Sequence, residues 1–276
     1  MSPTWHGLEE PAPRPMAPGD WLRVGLRGAA ILALLAVCFP LLLVLRIPER
    51  LICGLNRPVT PHITQFVCRA ACRVLGLRLQ MRGAPMTGPG AYVANHVSWL
   101  DIFVLNACKR LYFVAKSEVA GWPGIGWLAR GTGTVFIDRD RRQAAAQTRL
   151  FEDRLRAGHR LLFFPEGTST DGRRVLPFKT TLFQAFQSDR LRDVLQVQPV
   201  TVVYHPPPGE ADTFYGWWGD MPLGPAILSS LAVRRQGRVE VVYHTPLRVA
   251  DFPDRKTLAA MAEAEVRGGF PPERLA

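Results

Sequence analysis

Lysine is scarce in this chain of 276 residues, where only Lys109, Lys116, Lys179 and Lys256 are found. Arginine therefore carries nearly all of the positive charge, and the formal net charge is +11 with a sequence pI near 10.1. A charge excess of this size predicts an anionic partner, which is either a lipid headgroup or a nucleic acid. Arginine-biased codon usage accounts for the same composition equally well, so charge alone does not decide.

The sequence also lacks the spacings that mark a disulfide framework, a zinc site or a serine hydrolase. Its five cysteines form no C-x-x-C pair and their number is odd, so we expect reduced thiols that fill apolar space. The six histidines show no metal-ligand spacing, so no metal is expected. No G-x-S-x-G nucleophile elbow occurs in the chain. The cysteines are Cys38, Cys53, Cys68, Cys72 and Cys108.

Charge is absent from Gly28 to Leu45, a run rich in alanine and leucine. Its length is at the lower limit for a helix that spans a bilayer. Pro40 lies inside the run, and no small-residue cleavage site follows, which disfavours a signal peptide. A kinked, buried helix of a soluble protein is the alternative. The run favours lipid over nucleic acid as the anionic partner, so no nucleic acid is expected.

The charges on either side of this run are asymmetric. Residues 1–27 carry three arginines and three acidic residues, whereas residues 46–82 carry seven arginines against one glutamate. Segments rich in arginine next to a membrane helix stay on the cytoplasmic side. The sequence therefore predicts that the chain beyond the run lies in the cytoplasm.

A second helix is predicted from Thr60 to Leu75, because Thr60-Pro61 is typical of a helix start and Gly76 of a helix end. Apolar residues recur between these signals at helical spacing. Such a helix either rests in the lipid interface or covers a domain core, and with the first run it can form an embedded two-helix hairpin. The stripe consists of Ile63, Phe66, Val67, Ala70, Ala71, Val74 and Leu75, and Gln65, Arg69 and Arg73 lie off it.

Beyond Gly76 the alternation of apolar runs and helical patterns predicts a mostly parallel sheet flanked by helices, an α/β sandwich. Strands are predicted over 77–82, 92–93, 111–115, 134–137, 161–164, 197–204 and 239–243, and helices over 100–109, 140–157 and 179–187. Residues 121–127 are too irregular to assign. We divide the chain into a disordered Pro-rich start (1–21), a membrane-associated helical segment (22–76) and one domain (77–276).

Two short polar islands, Asn95 to Asp101 and Phe164 to Thr170, each follow an apolar, strand-like run. Strand ends are where α/β proteins place functional groups. A neutral imidazole at His96 can take the proton of an attacking hydroxyl, and a carboxylate at Asp101 can fix its tautomer. The second island supplies a carboxylate at Glu166. Neither island is decisive alone, but two strand ends can meet in one cleft.

Four motifs occur in one order along the chain. They are N-H-x-x-x-x-D at Asn95–Asp101, F-I-x-R at Phe136–Arg139, F-P-E-G-T at Phe164–Thr168 and V-x-P-V at Val197–Val200. At these residues the chain resembles the glycerophospholipid acyltransferase family, of the 1-acylglycerol-3-phosphate acyltransferase type. The pattern is most similar to the bacterial lyso-ornithine lipid O-acyltransferase branch. This resemblance implies an acyltransferase domain over 77–276 that works at the inner membrane, with membrane lipids as partners.

The resemblance also implies a direct attack without a covalent enzyme intermediate. A lysolipid hydroxyl, deprotonated by His96, adds to the carbonyl of an acyl thioester while Asp101 holds the imidazole. The thioester, of acyl carrier protein or coenzyme A, is a co-substrate, and no cofactor is expected. Glu166 and Gly167 are assigned to acceptor binding, and Arg139 to polar or anionic groups of the acceptor. Asn95, Ser98, Thr168 and Ser169 complete the predicted substrate-binding set, in which amides near Gly167 and Thr168 form an anion-binding nest.

One departure from the family pattern bears on the substrate. Many family members with a phosphate-bearing acceptor have arginine directly after F-P-E-G-T, where a guanidinium pairs with the phosphate. Here that position is Ser169, so phosphate recognition is expected to be weaker. Other arginines can still serve a phosphate, which leaves lyso-ornithine lipid and 1-acyl-sn-glycerol-3-phosphate both open as acceptors. They are Arg139, Arg141, Arg142, Arg173 and Arg174.

Two interpretations from other classes stay open. A thioester hydrolase would use the same base with water, and it would release free fatty acid without any acceptor. A non-catalytic membrane protein that binds lipid or RNA would explain the charge. It would not explain a histidine and an aspartate at one strand end and Glu-Gly-Thr at another.

Overall fold

The computed structural model describes residues 4–12, 14–137, 144–188 and 190–275. The α-helices are α1 (Pro18–Cys53), α2 (Thr60–Leu75), α3 (Asp101–Cys108), α4 (Ile125–Thr132), α5 (Ala144–Arg156), α6 (Leu223–Ala232) and α7 (Arg255–Gly268). The strands are β1 (Arg78–Arg82), β2 (Gly90–Ala94), β3 (Tyr112–Lys116), β4 (Val135–Ile137), β5 (Leu161–Phe163), β6 (Gln196–His205), β7 (Arg238–Tyr243) and β8 (Leu247–Arg248).

The strands form one mixed sheet in the order β1-β7-β6-β2-β5-β3-β4, with β8 beside β6. Strand β6 pairs with β2 in parallel, and the parallel pairing continues through β5 and β3 to β4. Strands β7 and β8 run antiparallel to β6, and β1 runs parallel to β7. The prediction of a mostly parallel sheet is confirmed, and each of the seven predicted strands is present.

The helices predicted after Gly76 are present with one change of type. Residues 180–187 form a 3₁₀ helix instead of an α-helix. Helix α5 lies inside the predicted range 140–157, whose first residues, 140–143, are outside the described residues. The stretch left unassigned from the sequence, residues 121–127, contains the last residue of a short 3₁₀ helix (Ser117–Gly121) and the first residues of α4. Helices α6 and α7 were not predicted.

Two apolar layers enclose the sheet, and strand β2 shows how the alternation of its side chains separates them. Tyr92 and Ala94 belong to a core cluster that includes residues of α2 and α3. Ala91 and Val93 belong to a cluster with residues of α5, α7 and the 3₁₀ helix at 180–187. All four side chains are fully buried. A strand buried on both faces reads as a continuous apolar run, which is why the sequence revealed it.

Helix α1 is 36 residues long, or about 54 Å, and it continues through Pro40 and Pro48. By length and composition it is able to cross a membrane. Only 11% of its most apolar stretch of 18 residues is buried inside the protein. The core helix of a soluble domain would be mostly buried, so the exposure of this apolar helix indicates membrane association. Helix α2 packs against it, as expected for a helical hairpin.

Helix α2 has the predicted bounds, and Ala71 and Leu75 of the predicted stripe are buried, but its packing face extends beyond that stripe. Gln65, Cys68 and Cys72 are buried, whereas Phe66 from the predicted apolar stripe is 56% exposed. The side chains of Gln65 and Arg69 donate to the carbonyl oxygen of Ala107 near the end of α3. The expectation that Gln65 lies off the packing face is therefore wrong, whereas Arg69 is exposed and still reaches α3 with its guanidinium. The last carbonyls of α3 need such donors. The five cysteines are free thiols, as predicted.

The beginning of the chain corrects the expectation of a disordered segment through residue 21. Helix α1 already begins at Pro18. Residues 4–12 and 14–17, here called the N-terminal strap, lie against the domain. The Trp5 ring contacts the Trp218 ring edge-on at 6.2 Å between centroids, and Arg14 pairs with Glu210 at 2.6 Å. Aromatic and ionic contacts thus hold a segment whose composition alone is typical of disorder.

Candidate active site

The two polar islands lie side by side at one edge of the sheet. Strands β2 and β5 are parallel neighbours, and Val93 pairs with Phe163 in the last shared register position. The loops that begin at Asn95 and Phe164 therefore leave the sheet together. The Phe164 ring stacks on the His96 ring, with 4.0 Å between centroids and 11° between planes. The prediction that the two strand ends meet in one place is confirmed.

His96 and Asp101 form a hydrogen-bonded pair within the first loop. His96 Nδ1 lies 2.7 Å from Asp101 Oδ2, which also accepts the backbone amides of Val97 and Ser98 at 2.8 and 3.0 Å. A carboxylate can only accept, so Nδ1 carries the proton and Nε2 is the basic nitrogen. The Asp101 side chain is fully buried, whereas that of His96 is 19% exposed. This arrangement presents an oriented general base.

A tyrosine that the sequence did not reveal completes the surroundings of Asp101. The Tyr204 hydroxyl donates to Asp101 Oδ1 at 2.8 Å. Burial raises the pKa of Tyr204 well above its usual value, and the neighbouring Asp101 charge raises it further, so the hydroxyl stays a neutral donor. In the sequence Tyr204 appears only as the end of an apolar strand, 103 residues from Asp101. No local pattern could have connected the two.

Glu166 joins the two loops from a buried position. Its Oε1 accepts the backbone amide of His96 and its Oε2 accepts that of Leu176, each at 2.8 Å. The residue is 2% exposed. Burial raises the pKa of Glu166 to about 8, against the lowering effect of the two amide bonds. The structure thus gives Glu166 a bracing position behind His96, and its predicted contact with the acceptor stays a prediction.

Asn95 and Ser98 are also part of the framework of the site. The Asn95 side chain donates to the Val202 carbonyl at 2.9 Å and accepts the Val202 amide at 2.8 Å, which fastens the loop to β6. The Ser98 hydroxyl accepts the amide of Leu100 at 3.3 Å. Both residues are fully buried. These contacts account for both side chains without a substrate, so their assignment to substrate binding stays untested.

The glycine and hydroxyl residues of the second loop have distinct surroundings. Gly167 has a φ of +71°, and a side-chain carbon there would lie 2.5 Å from Lys179 Nζ. Its amide donates to the Phe164 carbonyl, so that amide is already used within the predicted nest. The Thr168 hydroxyl accepts the amide of Trp5 in the N-terminal strap at 3.4 Å. Ser169 is 9% exposed.

The predicted arginines differ in how they are held. Arg139, Arg141 and Arg142 lie outside the described residues. Arg174 is fixed by a two-pronged pair with buried Asp171 and lies 4.8 Å from the Trp5 ring centre. Arg173 has a buried Nε without a hydrogen-bond partner among the residues that the structure describes. Of the two neighbours, Arg173 is the better candidate for an anionic group of a substrate.

The sequence and the fold both have counterparts among known proteins. The family model named Acyltransferase matches residues 78–204. The chain is 58% identical over 268 residues to the lyso-ornithine lipid O-acyltransferase of Rhodobacter capsulatus, which covers 97% of each chain. It is 33% identical to the lyso-ornithine lipid O-acyltransferase of Pseudomonas aeruginosa, over 89% of this chain and 93% of that one.

Other relatives carry a different name. The 1-acyl-sn-glycerol-3-phosphate acyltransferase of Neisseria gonorrhoeae is 41% identical over 120 residues, 42% of this chain and 47% of its own. Among solved structures, the 1-acyl-sn-glycerophosphate acyltransferase PlsC of Thermotoga maritima superposes with a TM-score of 0.58 at 21% identity, covering 91% of this chain and 95% of that one. This last likeness shows the fold.

Proposed function

The chain belongs to the acyltransferase family, and on that premise we propose that it moves a fatty acyl group from an acyl thioester to the free hydroxyl of a lysolipid. The observation that carries the proposal is the bond between His96 Nδ1 and Asp101 Oδ2. It leaves Nε2 as the base on a partly exposed ring, at an edge of the sheet where an α/β protein can bind a substrate.

The proposed reaction has two steps and needs no covalent intermediate on the enzyme. His96 Nε2 takes the proton of the lysolipid hydroxyl as the oxygen attacks the thioester carbonyl, and a C–O bond forms. Asp101 stabilises the imidazolium that results. The tetrahedral adduct then collapses, the C–S bond breaks, and the thiolate leaves with the proton from the imidazolium. The products are the diacylated lipid and the free thiol of the donor.

We propose lyso-ornithine lipid as the main acceptor. The support is that the relatives which match most of this chain carry this name, at 58% identity in Rhodobacter capsulatus and 33% in Pseudomonas aeruginosa. The absence of arginine at position 169 points the same way. The match to the 1-acyl-sn-glycerol-3-phosphate acyltransferase of Neisseria gonorrhoeae supports a second candidate acceptor, for which Arg173 offers an unpaired guanidinium nitrogen.

The proposed setting is the inner membrane, with the catalytic domain on the cytoplasmic side. It rests on the apolar helix α1 and on the arginine excess that follows it. The acyl donor in that compartment is the thioester of acyl carrier protein or of coenzyme A. Both donors present the same carbonyl to His96, so the proposed chemistry is the same for either.

The test is a transfer assay with purified protein, a labelled acyl thioester and each lysolipid in turn. Lipid product that forms only with a lysolipid supports the proposal, and kcat/KM values for the two acceptors rank them. Release of labelled free fatty acid at the same rate without an acceptor would instead identify a hydrolase. Running both donors with the preferred acceptor distinguishes acyl carrier protein from coenzyme A.

A further inference from the structure

A cavity of about 220 Å³ lies where the end of α1 meets the loop before α2 and the end of α4. We call it the arginine pocket. Four arginines line it, together with apolar side chains and two glycines. The arginines are Arg46, Arg50, Arg57 and Arg130, and the apolar residues are Leu43 and Leu55. Four guanidinium groups around one small cavity form a concentrated positive site.

Two of these guanidinium groups have unused donors inside the protein. Arg46 Nη2 and Arg57 Nη1 are buried and make no hydrogen bond within the part of the chain that the structure describes. Buried polar atoms are nearly always paired, so each such atom requires an explanation. An oxygen-rich anion in the cavity would accept hydrogen bonds from the guanidinium groups that line it, and a guanidinium fork matches a phosphate in shape and charge.

The protein supplies little negative charge against this excess. Glu49 lies beside Arg46 at 3.7 Å, but its oxygens also accept the backbone amides of Val59 and Thr60 and the Thr60 hydroxyl. A further arginine, Arg154, lies behind the pocket, where burial and then the charge of Arg57 lower its pKa to about 10. The cluster therefore carries more positive charge than its protein partners neutralise.

The side chains around the pocket indicate that it lies at the surface of a bilayer. The uncharged run ends at Leu45, directly before Arg46. On the following turns Ile47, Leu51 and Ile52 are 65%, 82% and 83% exposed. Arginines at the end of an apolar helix reach the headgroup level while neighbouring apolar side chains stay in the lipid. Anionic headgroups attract such clusters.

We propose that the arginine pocket binds the phosphate of an anionic membrane phospholipid. This site is separate from the one at His96. The Arg57 guanidinium lies 5.5 Å from the ring centre of Tyr112, which begins β3, whereas His96 follows the end of β2. Because β2, β5 and β3 are parallel, the arginine pocket lies at the amino ends of these strands and His96 at their carboxyl ends. The bound lipid is an anchor and is not consumed.

The test uses full-length protein in neutral detergent, titrated with phosphatidylglycerol, phosphatidylcholine or inorganic phosphate. We expect phosphatidylglycerol to raise the Tm by roughly 5 °C at about a hundred times its Kd. Native mass spectrometry should then show one retained phosphatidylglycerol. Phosphatidylcholine should neither raise the Tm nor be retained in the mass spectrum. An equal shift with inorganic phosphate at the same concentration would overturn the lipid as the source of the phosphate.

Three variants locate the effect. The double variant Arg50→Gln/Arg130→Gln changes two exposed arginines of the pocket, and Arg57→Gln changes a half-buried one. Both should lose most of the Tm shift and the retained lipid. The matched control is Arg234→Gln/Arg235→Gln, which removes the same charge from exposed positions after α6 and should keep both. Equal shifts in Arg50→Gln/Arg130→Gln and in the control would overturn the proposal, even if Arg57→Gln fails to fold.

Discussion

The two nitrogens of the His96 ring have different surroundings, and this difference is the basis of the first prediction. Nδ1 is held by Asp101 at 2.7 Å, whereas the proposed chemistry takes place at Nε2. We expect His96→Ala to lower kcat by roughly 100- to 10,000-fold, which is the usual contribution of a positioned general base. The Tm should also fall, because the variant loses the bond to buried Asp101 and the stack on Phe164, so kcat is compared at a temperature where both proteins are folded. Turnover within a few-fold of the wild type would contradict the mechanism.

Tyr204 supports the second prediction, since its hydroxyl touches Asp101 and not the substrate. Tyr204→Phe removes one donor from a buried carboxylate. Loss of a hydrogen bond to a charged group costs about 1.5–3 kcal/mol, and we expect the Tm and kcat to fall while the KM of the acceptor stays constant.

The matched control is Tyr215→Phe. Tyr215 lies beside Tyr204, with ring centres 5.1 Å apart, and its hydroxyl bonds Gln236 and Gly237 instead of Asp101. It should lose stability without a comparable loss of kcat. Equal kcat values for the two variants would show that the Tyr204 hydroxyl only supports the fold.

Ser169 provides a test of acceptor choice at a single position. We expect Ser169→Arg to shift the ratio of kcat/KM values toward 1-acyl-sn-glycerol-3-phosphate by about tenfold, because a charge-assisted bond is worth roughly 1.5–3 kcal/mol. Ser169→Ala is the control for the loss of the hydroxyl. A strong wild-type preference for the phosphate acceptor, unchanged in Ser169→Arg, would contradict our interpretation of this position and leave the acyltransferase assignment intact.

Among the elements, the N-terminal strap makes direct contacts with the second loop of the site. The Trp5 amide donates to Thr168, and its ring contacts Trp218 and the Arg174 guanidinium. We expect Trp5→Ala to lower stability by about 1–2 kcal/mol, from one aromatic pair and one cation–π contact. The acceptor KM should also rise, because Arg174 loses the ring beside it and the strap whose backbone amide binds Thr168 is held less firmly.

The control for the strap is Trp127→Ala. Trp127 is 72% exposed, so its removal deletes an aromatic side chain without a comparable change in packing. An acceptor KM that rises equally in the two variants would show that the strap has no particular relation to the site. Thermal unfolding and acceptor saturation curves on both proteins decide the question.

The helices and strands also show which parts of the fold could be predicted from the sequence. The seven strands were predictable because strands buried on both faces, such as β2 and β5, read as short apolar runs. The burial of Gln65 on α2 was not predictable, since its partner is a carbonyl on α3 that only the tertiary fold places there. Within the site, His96 and Asp101 are five residues apart and were recognisable, whereas Tyr204 joins them only through the sheet.

At the scale of the whole molecule, membrane attachment is assigned to α1, whereas the domain core begins with α2. Helix α2 buries Cys68 and Cys72 in the core, and β1 pairs with β7, so a truncation must keep both. We expect a variant that lacks residues 1–56 to be recovered in the soluble fraction, since it loses the apolar surface of α1. The full-length protein should stay in the membrane pellet after carbonate extraction.

The comparison of the two proteins is informative in both directions. A variant that lacks residues 1–82 would also lose α2 and β1. Its aggregation would therefore not distinguish loss of the membrane anchor from loss of the fold. Quantitative extraction of the full-length protein by carbonate would contradict an apolar anchor. Pelleting of the variant without residues 1–56 would move the attachment to exposed apolar residues elsewhere, such as Phe66 on α2.

Helix α1 touches the same domain near its start and again in its second half. Near its start Arg23 and Arg27 donate to carbonyl oxygens at the end of α6, and further along Phe39 and Leu43 lie against Gly131 of α4. Between these two contacts the helix lies along the domain and does not stand apart from it. The exposed apolar side chains of α1 and the domain therefore meet a membrane together. A lysolipid in that membrane can then reach the domain by lateral diffusion, without leaving the lipid for water.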